Sequence, residues 1–334
     1  MRICIPIEFQ AAGGGFYVLQ QLERYLVSRG HTITRQVADR YDVLLMNSWH
    51  VHYDDLLSAI RRNPRARIVH RVDGSSQDYG RDPRYDRQQQ RVNRFADVTI
   101  FQSQYCRHST REKFPVIAQD GPVIYNAVDV DRFSPDGERA DLPGKAPRLV
   151  YVTHSANPMK GWGDVYALAA RRPDLTFILI GNYDNPPPLP NLHTLGSLDR
   201  DALPRALRAC QVSLAFQRNE ACPNVVLEAM ACGLPLLYVE SGAIPELVGA
   251  CGLPVTLETF RAQLDELFAR REEFAACARD RAVSKFHPDV IFAAYVRQME
   301  AALRRPPGWR AVRRWLWAWA VKLGRPVRDR ALRR

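Results

Sequence analysis

The sequence lacks the cysteine pairs that would cross-link a small secreted fold. Its seven cysteines are scattered along 334 residues, and no two of them form a C-x-x-C pair. Several fall within apolar segments that predict strands or helices, which is typical of buried thiols. The pattern therefore predicts reduced cysteines, as in cytoplasmic proteins, rather than a framework of disulfides.

Long apolar runs are also missing. No segment reaches the roughly 20 apolar residues that a helix needs to span a bilayer. The first residues, 1–8, contain neither a long apolar region nor a cleavage signal, so we interpret them as a first β-strand rather than a signal peptide. Together these absences predict a cytoplasmic location.

Excess positive charge is nearly absent from the body of the chain. The net charge is +11, but residues 304–334 alone hold ten arginines and Lys322 against Asp329. Almost all of the excess therefore lies in this last segment. A body with so little net charge gives no reason to expect a nucleic acid as partner.

The basic segment is also rich in tryptophan. It contains Trp309, Trp315, Trp317 and Trp319, interleaved with arginines. A short helix with Trp and Arg suits an anchor on an anionic membrane. Residues 305–334 therefore predict peripheral attachment at the inner face of the membrane. The alternatives are a basic tail that is disordered or packed on the body as a helix, and an RNA-binding tail.

What the sequence does contain is an alternation of strands and helices over a length that suits about two domains. Such alternation predicts an α/β protein with two doubly wound, Rossmann-like domains. The polar stretch 134–147, rich in Pro and Gly, predicts an interdomain linker. The predicted strands are Arg2–Glu8, Asp42–Ser48, Arg67–Val72, Val98–Gln102, Val123–Tyr125, Arg148–Thr153, Thr176–Ile180, His193–Leu195, Val212–Phe216 and Leu236–Val239. The clearest helical patterns are Phe16–Arg29, Asp86–Phe95, Arg261–Lys285 as one or two helices, and Pro288–Leu303.

The most informative motif is a pair of glutamates, Glu220 and Glu228, in a particular setting. A buried strand comes before them, Pro223 suits the first position of a helix, and Gly233 suits its end. Glu220 is therefore expected in the loop at the carboxyl end of the strand, and Glu228 about one and a half turns inside the helix. The alternative is an ordinary helix with one exposed and one capping glutamate.

The start of this helix predicts an anion site between the two glutamates. The amides of Asn224, Val225 and Val226 are expected to point outward, where the helix dipole favours negative charge. Two carboxylates that bind hydroxyl groups, with a phosphate-binding site between them, match the order of groups in a nucleotide sugar.

The segment resembles the E-x7-E signature of the retaining nucleotide-sugar glycosyltransferases of family 4, which have the GT-B fold. Its strand, loop, helix start and Glu-Ala-Met-Ala-Cys-Gly sequence carry the resemblance, which covers about residues 1–304. It implies two Rossmann-like domains facing across a cleft and a final helix that crosses back to the first domain. The implied divisions are an acceptor-side domain 1–133, a linker 134–147, a donor-binding domain 148–287, a crossover helix 288–304 and a tail 305–334.

The resemblance also implies residues that bind the donor phosphate. A glycine loop after the first strand touches this phosphate in the family, which implies Gly14 and Gly15 here, although a tight turn is the alternative. Lys160 matches the family lysine that meets the leaving diphosphate. Where the family has an arginine, this chain has His154. A charged His154 or another basic residue, such as Arg71, is expected to supply the missing cation.

Three further site residues are predicted, two of them, His70 and Leu198, from the same resemblance. His70 matches a histidine beside the reacting sugar, and Asp73 is placed to orient or deprotonate the acceptor hydroxyl, with an ordinary turn as the alternative. Leu198 falls where the family holds the nucleobase by backbone contacts. His50, near Trp49, is a weaker candidate.

The predicted activity is metal-independent retaining transfer from a nucleoside-diphosphate sugar to a glycan or lipid-linked acceptor, in cell-surface glycan or glycolipid synthesis. Glu228 is expected to hold the ribose, Glu220 the sugar hydroxyls, and Lys160 the departing phosphate. The D-x-D triplet at Asp129 and Asp131, a metal site in the other glycosyltransferase fold, favours a turn or cap here. No metal or cofactor is expected, because the nucleotide sugar is a co-substrate.

Two other functions are compatible with these residues. A nucleotide-sugar epimerase of the same fold would bind the same donor. A non-catalytic sugar-nucleotide-binding subunit of a membrane assembly would fit the histidine at position 154 and the basic tail.

Overall fold

The computed structural model describes residues 1–7, 14–113, 121–306 and 308–324. The chain divides into two compact units. Unit 1 comprises Met1–Ile124 and Phe292–Arg334, and unit 2 comprises Tyr125–Ile291. Each unit contains a parallel β-sheet with helices, so the predicted α/β class with two Rossmann-like units is confirmed.

Over the described residues, the sheet of unit 1 has the strand order β2-β1-β3-β4-β5, and all neighbouring pairs are parallel. Its strands are β1 (Arg2–Cys4), β2 (Thr32–Thr34), β3 (Val43–Asn47), β4 (Arg67–Val72) and β5 (Val98–Phe101). Its helices are α1 (Gly14–Ser28), α2 (Tyr53–Arg62), α3 (Pro83–Asn93), α4 (Gln104–Lys113) and, near the end of the chain, α12 (Trp309–Lys322).

The sheet of unit 2 has the order β11-β10-β9-β6-β7-β8, again with parallel neighbours. Its strands are β6 (Arg148–Thr153), β7 (Thr176–Gly181), β8 (Leu192–Thr194), β9 (Val212–Ala215), β10 (Leu236–Tyr238) and β11 (Gly252–Pro254). Its helices are α5 (Trp162–Arg171), α6 (Ala202–Arg208), α7 (Asn224–Ala231), α8 (Ile244–Val248), α9 (Phe260–Ala269) and α10 (Arg271–Lys285), and the division between the units falls inside α11 (Pro288–Arg304).

Continuous apolar runs produce the central strands. Every residue of β4 and of β7 is buried, which is typical of parallel strands covered on both faces. Local capping chemistry fixes the helices between them. Asp82 accepts a hydrogen bond from the Arg84 amide and Pro83 occupies the first turn, so α3 starts at Pro83 rather than at the predicted Asp86.

The sequence does not predict the two short strands β2 and β11, and it predicts some other strands to be longer than they are. β2 and β11 have three residues each, too few to show a periodicity. The first strand ends at Cys4 rather than Glu8, because Pro6 cannot donate to a neighbouring strand. The predicted strand Val123–Tyr125 is present as an isolated bridge between Phe101 and Val123.

The segment after residue 124 belongs to unit 2, so the compact units divide before the predicted boundary at residue 133. The Asn126 side chain donates to the Cys222 carbonyl at 3.0 Å and to Asn224 Oδ1 at 2.7 Å. The Val128 amide donates to the Phe286 carbonyl at 3.0 Å. These bonds tie the segment to unit 2, and such long-range partners cannot be read from local composition.

One cysteine prediction is wrong. Cys251 and Cys277 form a disulfide, with their Cα atoms 5.2 Å apart. Cys251 lies in the bend before β11 and Cys277 in α10, and the two have no spacing signature, so the sequence gives no sign of the bond. The remaining five cysteines are free and buried, as the sequence predicts.

The described part of the basic tail forms a helix packed on unit 1, which was the alternative to a membrane anchor. The guanidinium of Arg314, 2% exposed, binds Asp97 at 2.7 Å and the Ala66 carbonyl at 2.6 Å. Trp317 is buried and donates to the Tyr53 hydroxyl at 3.1 Å. One face of α12 thus completes the core of unit 1 beside α2. Among the described residues no helix has both the length and the apolarity to cross a bilayer.

Candidate active site

The sheet of unit 2 changes its winding direction between β6 and β9. From β6 the chain proceeds outward through β7 and β8, and it then returns to build β9, β10 and β11 on the other side. In such sheets ligands bind outside the carboxyl ends of the strands at the switch point. The residues that follow β6 and β9 are therefore the first place to look for a site.

Two predicted site residues meet at this point. Lys160 follows β6, Glu220 follows β9, and the ammonium Nζ binds the carboxylate Oε1 directly. Each side chain keeps 17% of its surface exposed, so the pair is accessible to a ligand. Since a charge-assisted contact of this kind fixes both groups, a phosphate that bound Lys160 would also have Glu220 beside it.

Close backbone packing holds the two loops together. The Arg218 amide donates to the Met159 carbonyl at 2.7 Å. Gly161 has φ +76°, and a Cβ atom there would lie 2.1 Å from the Phe216 carbonyl oxygen. Only glycine fits this position, which explains the Lys-Gly pair in the sequence.

The Glu220 loop is also held from the strand beyond it. The Ala243 amide donates to the Glu220 carbonyl at 2.9 Å, and the Asn219 amide donates to Ser241 Oγ at 3.0 Å. Gly242 has φ +60°, and its absent side chain lets the Glu220 backbone approach. The segment after β10 therefore positions Glu220.

Glu228 lies inside α7, as the spacing predicts, and only 8% of it is exposed. Burial raises the pKa of its carboxyl to about 7, and the cation of Arg200 opposes that rise. A carboxylate beneath a helix start, poised between its two protonation states near neutral pH, is suited to accept hydrogen bonds from a ligand that completes its environment.

The helix start differs in detail from the prediction. Pro223 is the N-cap rather than the first helical residue, and the helix starts at Asn224. The Val226 amide donates to the Pro223 carbonyl at 3.2 Å, so it is not one of the outward-pointing donors. Gly233 has φ +69° just beyond the helix, which fits its predicted role at the end.

His154 lies in an exposed position directly after β6. Desolvation by neighbouring protein atoms lowers the pKa of its imidazole, and the cations of Lys160 and Arg200 lower it further. His154 is therefore neutral near pH 7 in the free protein. Sequence reasoning missed Arg200, which acts electrostatically on both His154 and Glu228. The sequence could have indicated Arg200 through its position two residues after Leu198, in the loop that was predicted to hold the nucleobase.

The loop that contains Leu198 follows β8 at the same edge of the sheet. The Gly181 amide donates to the Gly196 carbonyl at 2.7 Å, and the Leu195 amide donates to the Leu179 carbonyl at 2.9 Å. These bonds fix the backbone of the loop next to the end of β7. Leu198 itself is half-buried.

In unit 1, the predicted residues follow β4 but are mostly buried. His70 is fully buried; its Nε2–H donates to the Ser48 carbonyl and its Nδ1 accepts from Asn93 Nδ2, both at 2.9 Å. Burial lowers the pKa of His70 to about 4. A contact between His70 and a sugar would require the ring to leave these partners.

Asp73 is held by Arg71 at 2.9 Å and by Gln102. The guanidinium of Arg71 has no exposed surface and also donates to Asn47 Oδ1 at 2.7 Å. Arg71 thus anchors Asp73 within unit 1 and presents no exposed cation to a phosphate, in contrast to one of the alternatives raised by the sequence. The Asp73 side chain keeps 25% of its surface exposed.

The glycine loop and the D-x-D triplet are the two remaining sequence motifs. Gly14 and Gly15 form the first turn of α1 rather than a loop before it, and residues 8–13 lie outside the described residues. The amides of a first helical turn lack intrahelical partners, so the predicted anion contact remains a prediction. Asp129 Oδ1 accepts from the Arg132 amide at 3.1 Å, consistent with a turn at the D-x-D triplet.

The fold is similar to that of solved glycosyltransferase structures of the GT-B type. Sucrose-phosphate synthase from Thermosynechococcus elongatus aligns with a TM-score of 0.72 at 17% identity, over 90% of this chain and 99% of that one. Alr3699/HepE from Anabaena, in complex with UDP-glucose, aligns with a TM-score of 0.68 at 16% identity, over 90% and 100%. A glycosyltransferase from Rickettsia africae aligns with a TM-score of 0.72 at 11% identity, over 91% and 99%.

Family models then identify both parts of the chain. The Glycosyltransferase Family 4 model matches residues 16–132, and the model for glycosyl transferases group 1 matches residues 162–270. The chain belongs to this glycosyltransferase family, as the E-x7-E segment predicts. No curated protein sequence matches it.

Proposed function

We propose that this protein is a retaining, metal-independent glycosyltransferase that moves a sugar from a nucleoside-diphosphate sugar to a hydroxyl acceptor in cell-surface glycan or glycolipid synthesis. The Lys160–Glu220 pair at the switch point of unit 2 is the observation that carries the proposal. A cation and a carboxylate, both partly exposed and both held by rigid loops, match a donor that has a diphosphate next to a polyhydroxylated ring.

In this mechanism Lys160 and the amides of Asn224 and Val225 bind the diphosphate, Glu220 binds hydroxyls of the donor sugar, and Glu228 binds the ribose. The bond between the anomeric carbon and the diphosphate oxygen breaks, and the acceptor oxygen forms its bond to the same face of that carbon. The acceptor proton passes to the departing phosphate. Lys160 stabilises the charge that develops on the leaving group, where fixed charges accelerate the reaction most.

UDP-glucose is the first donor to test. Two similar proteins bind such donors or their nucleotide: Anabaena Alr3699/HepE was solved in complex with UDP-glucose, and an alpha-glucosyltransferase in complex with UDP. The loop 195–198, held by backbone bonds to β7, supplies the backbone groups that would bind a nucleobase.

A thermal-shift screen of nucleotides and nucleotide sugars, followed by a transfer assay, tests the proposal. We expect a stabilising donor whose sugar appears on an acceptor with the anomeric configuration of the donor, as read by NMR. An inverted product would refute retention. An isomerised nucleotide sugar with no transfer product would identify an epimerase instead. Binding without transfer or hydrolysis would identify a non-catalytic subunit.

Metal independence has a separate test. Turnover should be unchanged after dialysis against EDTA and on addition of Mg²⁺ or Mn²⁺. If EDTA abolished turnover and only one of these ions restored it, metal independence would be contradicted.

We also propose that the outer face of α12 binds an anionic membrane surface. While Trp317 packs inward, Trp309, Val312, Leu316 and Leu323 are 80%, 43%, 53% and 61% exposed. These side chains share one side of the helix, and arginines flank them. Aromatic and aliphatic groups with nearby cations favour insertion at the headgroup level of anionic lipid.

Because α12 completes the core of unit 1, deletion of the tail would test folding as well as binding. The double variant Trp309→Ser/Leu316→Ser changes only exposed side chains. We expect it to fold normally and to lose at least tenfold in affinity for phosphatidylcholine vesicles that contain phosphatidylglycerol. Unchanged binding of this variant would contradict a role for this face, and equal binding to pure phosphatidylcholine would contradict the charge preference.

A further inference from the structure

Unit 1 has a row of four neighbouring aromatic rings at the carboxyl edge of its sheet, which we call the aromatic shelf. Its members are Phe16, His50, Trp49 and Tyr85. The ring centroids of Phe16 and His50 lie 5.0 Å apart, those of His50 and Trp49 5.2 Å, and those of Trp49 and Tyr85 4.9 Å. Tyr85 is 40% exposed, and the other three are half-buried. Because Tyr85 at one end of the shelf is exposed to solvent, the shelf is accessible to a ligand and is not only part of the core.

The shelf lies where the winding of the unit 1 sheet reverses. β1 has β2 on one side and β3 on the other, so the switch point is between β1 and β3. Phe16 is in the first turns of α1, which follows β1 in the chain, and Trp49 and His50 follow β3. In a doubly wound sheet this crevice is the preferred ligand site.

Helix α3 connects the shelf to Asp73. Gln88 donates from Nε2 to the Trp49 carbonyl at 2.8 Å. The next residue, Gln89, accepts from the Asp73 amide at 3.0 Å and donates to the Gly74 carbonyl at 3.1 Å. Consecutive side chains of one helix therefore hold the backbone of Trp49 and the backbone of Asp73, the residue that the sequence predicts beside the acceptor hydroxyl.

The backbone beneath the shelf is held in an unusual conformation. Ser48, directly before Trp49, has φ +50°, which is uncommon outside glycine. Its amide donates to the Arg71 carbonyl at 2.7 Å, and its carbonyl accepts from His70 at 2.9 Å. Strained residues that neighbours hold in place are enriched at ligand sites. The buried His70 thus positions Trp49.

The loop after β4 is equally fixed. The buried carboxylate of Asp86 accepts from Ser75 Oγ at 3.0 Å, from the Ser76 amide at 2.6 Å and from the Gln77 amide at 3.1 Å. This loop leads to Arg81, whose guanidinium lies 5.9 Å from the centroid of the Trp49 ring. The shelf therefore has a rigid base and a cationic donor at its rim.

We propose that the aromatic shelf binds a sugar ring of an oligosaccharide acceptor. A pyranose ring has an apolar face of C–H groups that stacks on an aromatic ring and a rim of hydroxyls that needs donors and acceptors. Tyr85 and Trp49 supply aromatic surface, and Arg81 and Asp73 supply polar partners. The assignment rests on the proposed function, and it narrows the acceptor to a glycan with at least one sugar next to the reacting hydroxyl.

Binding of free oligosaccharides to the whole protein tests this assignment without the transfer reaction. The protein is applied to a glycan array, and the Kd of each glycan that binds is then measured in solution by tryptophan fluorescence. For Tyr85→Ala we expect at least a tenfold weaker Kd. Tyr85→Phe, which keeps the ring, should stay within threefold of the wild type.

Trp309→Ala is the matched control, because Trp309 is an exposed aromatic residue of the same unit on α12. It should bind oligosaccharides as the wild type does, and Tyr85→Ala should keep the wild-type thermal shift with the donor. If no oligosaccharide binds the wild type, or if Tyr85→Ala binds as well as the wild type, the assignment is overturned even where donor transfer succeeds. Failure of donor binding with intact oligosaccharide binding would instead count against the proposed function.

Discussion

Both parallel sheets have a switch point in their strand order, but the carboxyl edges at these points differ in chemistry. In unit 2 the switch point carries Lys160 and Glu220, an ion pair whose side chains are each 17% exposed. In unit 1 the basic groups His70 and Arg71 are fully buried, and the partly exposed groups beside them are the aromatic shelf and the carboxylate of Asp73. An exposed cation suits an anionic donor, whereas buried basic groups serve to hold the loops around them. The charge of unit 2 should therefore control catalysis, and the buried groups of unit 1 should control stability.

The largest effect should follow removal of the exposed cation in unit 2. For Lys160→Ala we expect kcat to fall by about 100- to 1,000-fold, the size of effect seen when one group that stabilises developing charge is removed. The measurement is steady-state turnover with the donor found by thermal shift, and Lys145→Ala, at an exposed lysine, is the control.

Glu220 would lose its contact with Lys160 in that variant. The double variant Lys160→Ala/Glu220→Gln also removes the negative charge of Glu220, and turnover should remain low. Recovery of turnover in the double variant, or wild-type turnover of Lys160→Ala, would show that Lys160 does not act on the leaving group.

The buried histidine of unit 1 should produce an acid-sensitive stability. Its pKa is lowered from 6.5 to about 4 in the folded protein, so between these values the unfolded chain is protonated while His70 is not. Stability is therefore lost as the pH falls from 6.5 towards 4, by about 3 kcal/mol.

His70→Gln should flatten this slope in urea unfolding relative to the wild type. His108→Gln, at a side chain that is 73% exposed, should leave it unchanged. Equal slopes for the wild type and His70→Gln would show that His70 is not held neutral by burial.

Glu228 in unit 2 should produce the opposite slope. Its pKa is raised from 4.5 to about 7 on folding, so the contribution to stability is present below pH 4.5 and is lost as the pH rises through 7. Glu228→Gln should therefore be more stable than the wild type at pH 8, by about 1–3 kcal/mol, and the gain should vanish at pH 4.5.

The same variant should bind the donor at least tenfold more weakly at pH 8, since a site residue can be retained at a cost in stability. Glu272→Gln, at an exposed glutamate, is the control. A variant less stable than the wild type at pH 8 would mean that the carboxylate stabilises the fold.

The smallest effect should come from His154→Arg. Lys160 and Arg200 already lower the pKa of the His154 imidazole, so an added cation is unfavourable in the free protein, but a bound diphosphate compensates. We expect kcat/KM within about threefold of the wild type, less than about 1 kcal/mol. A loss greater than 100-fold would show that the site requires a neutral group.

The sequence predicts the features that depend on local pattern. The central strands, the position of Glu228 in its helix and the left-handed Gly233 all follow from short-range rules. The sequence places Lys160 and Glu220 each after a strand of one parallel sheet, but their direct contact is known only from the structure. The Cys251–Cys277 disulfide, the burial of Arg71 and the assignment of Asn126 to unit 2 depend on partners distant in the chain, which local pattern cannot supply. For the same reason the tryptophans of α12 could not be divided into inward and outward groups.

The place of α12 in the core of unit 1 also affects how the protein is made. Unit 2 is one continuous stretch, Tyr125–Ile291, whereas unit 1 uses both Met1–Ile124 and residues after 291. During synthesis unit 2 can therefore reach its native state while the apolar surface of α2 is still uncovered. Helix α12, which completes the core of unit 1, leaves the ribosome after unit 2. Nascent chains arrested before residue 309 should therefore be cut by protease within α2, whereas unit 2 should resist cleavage.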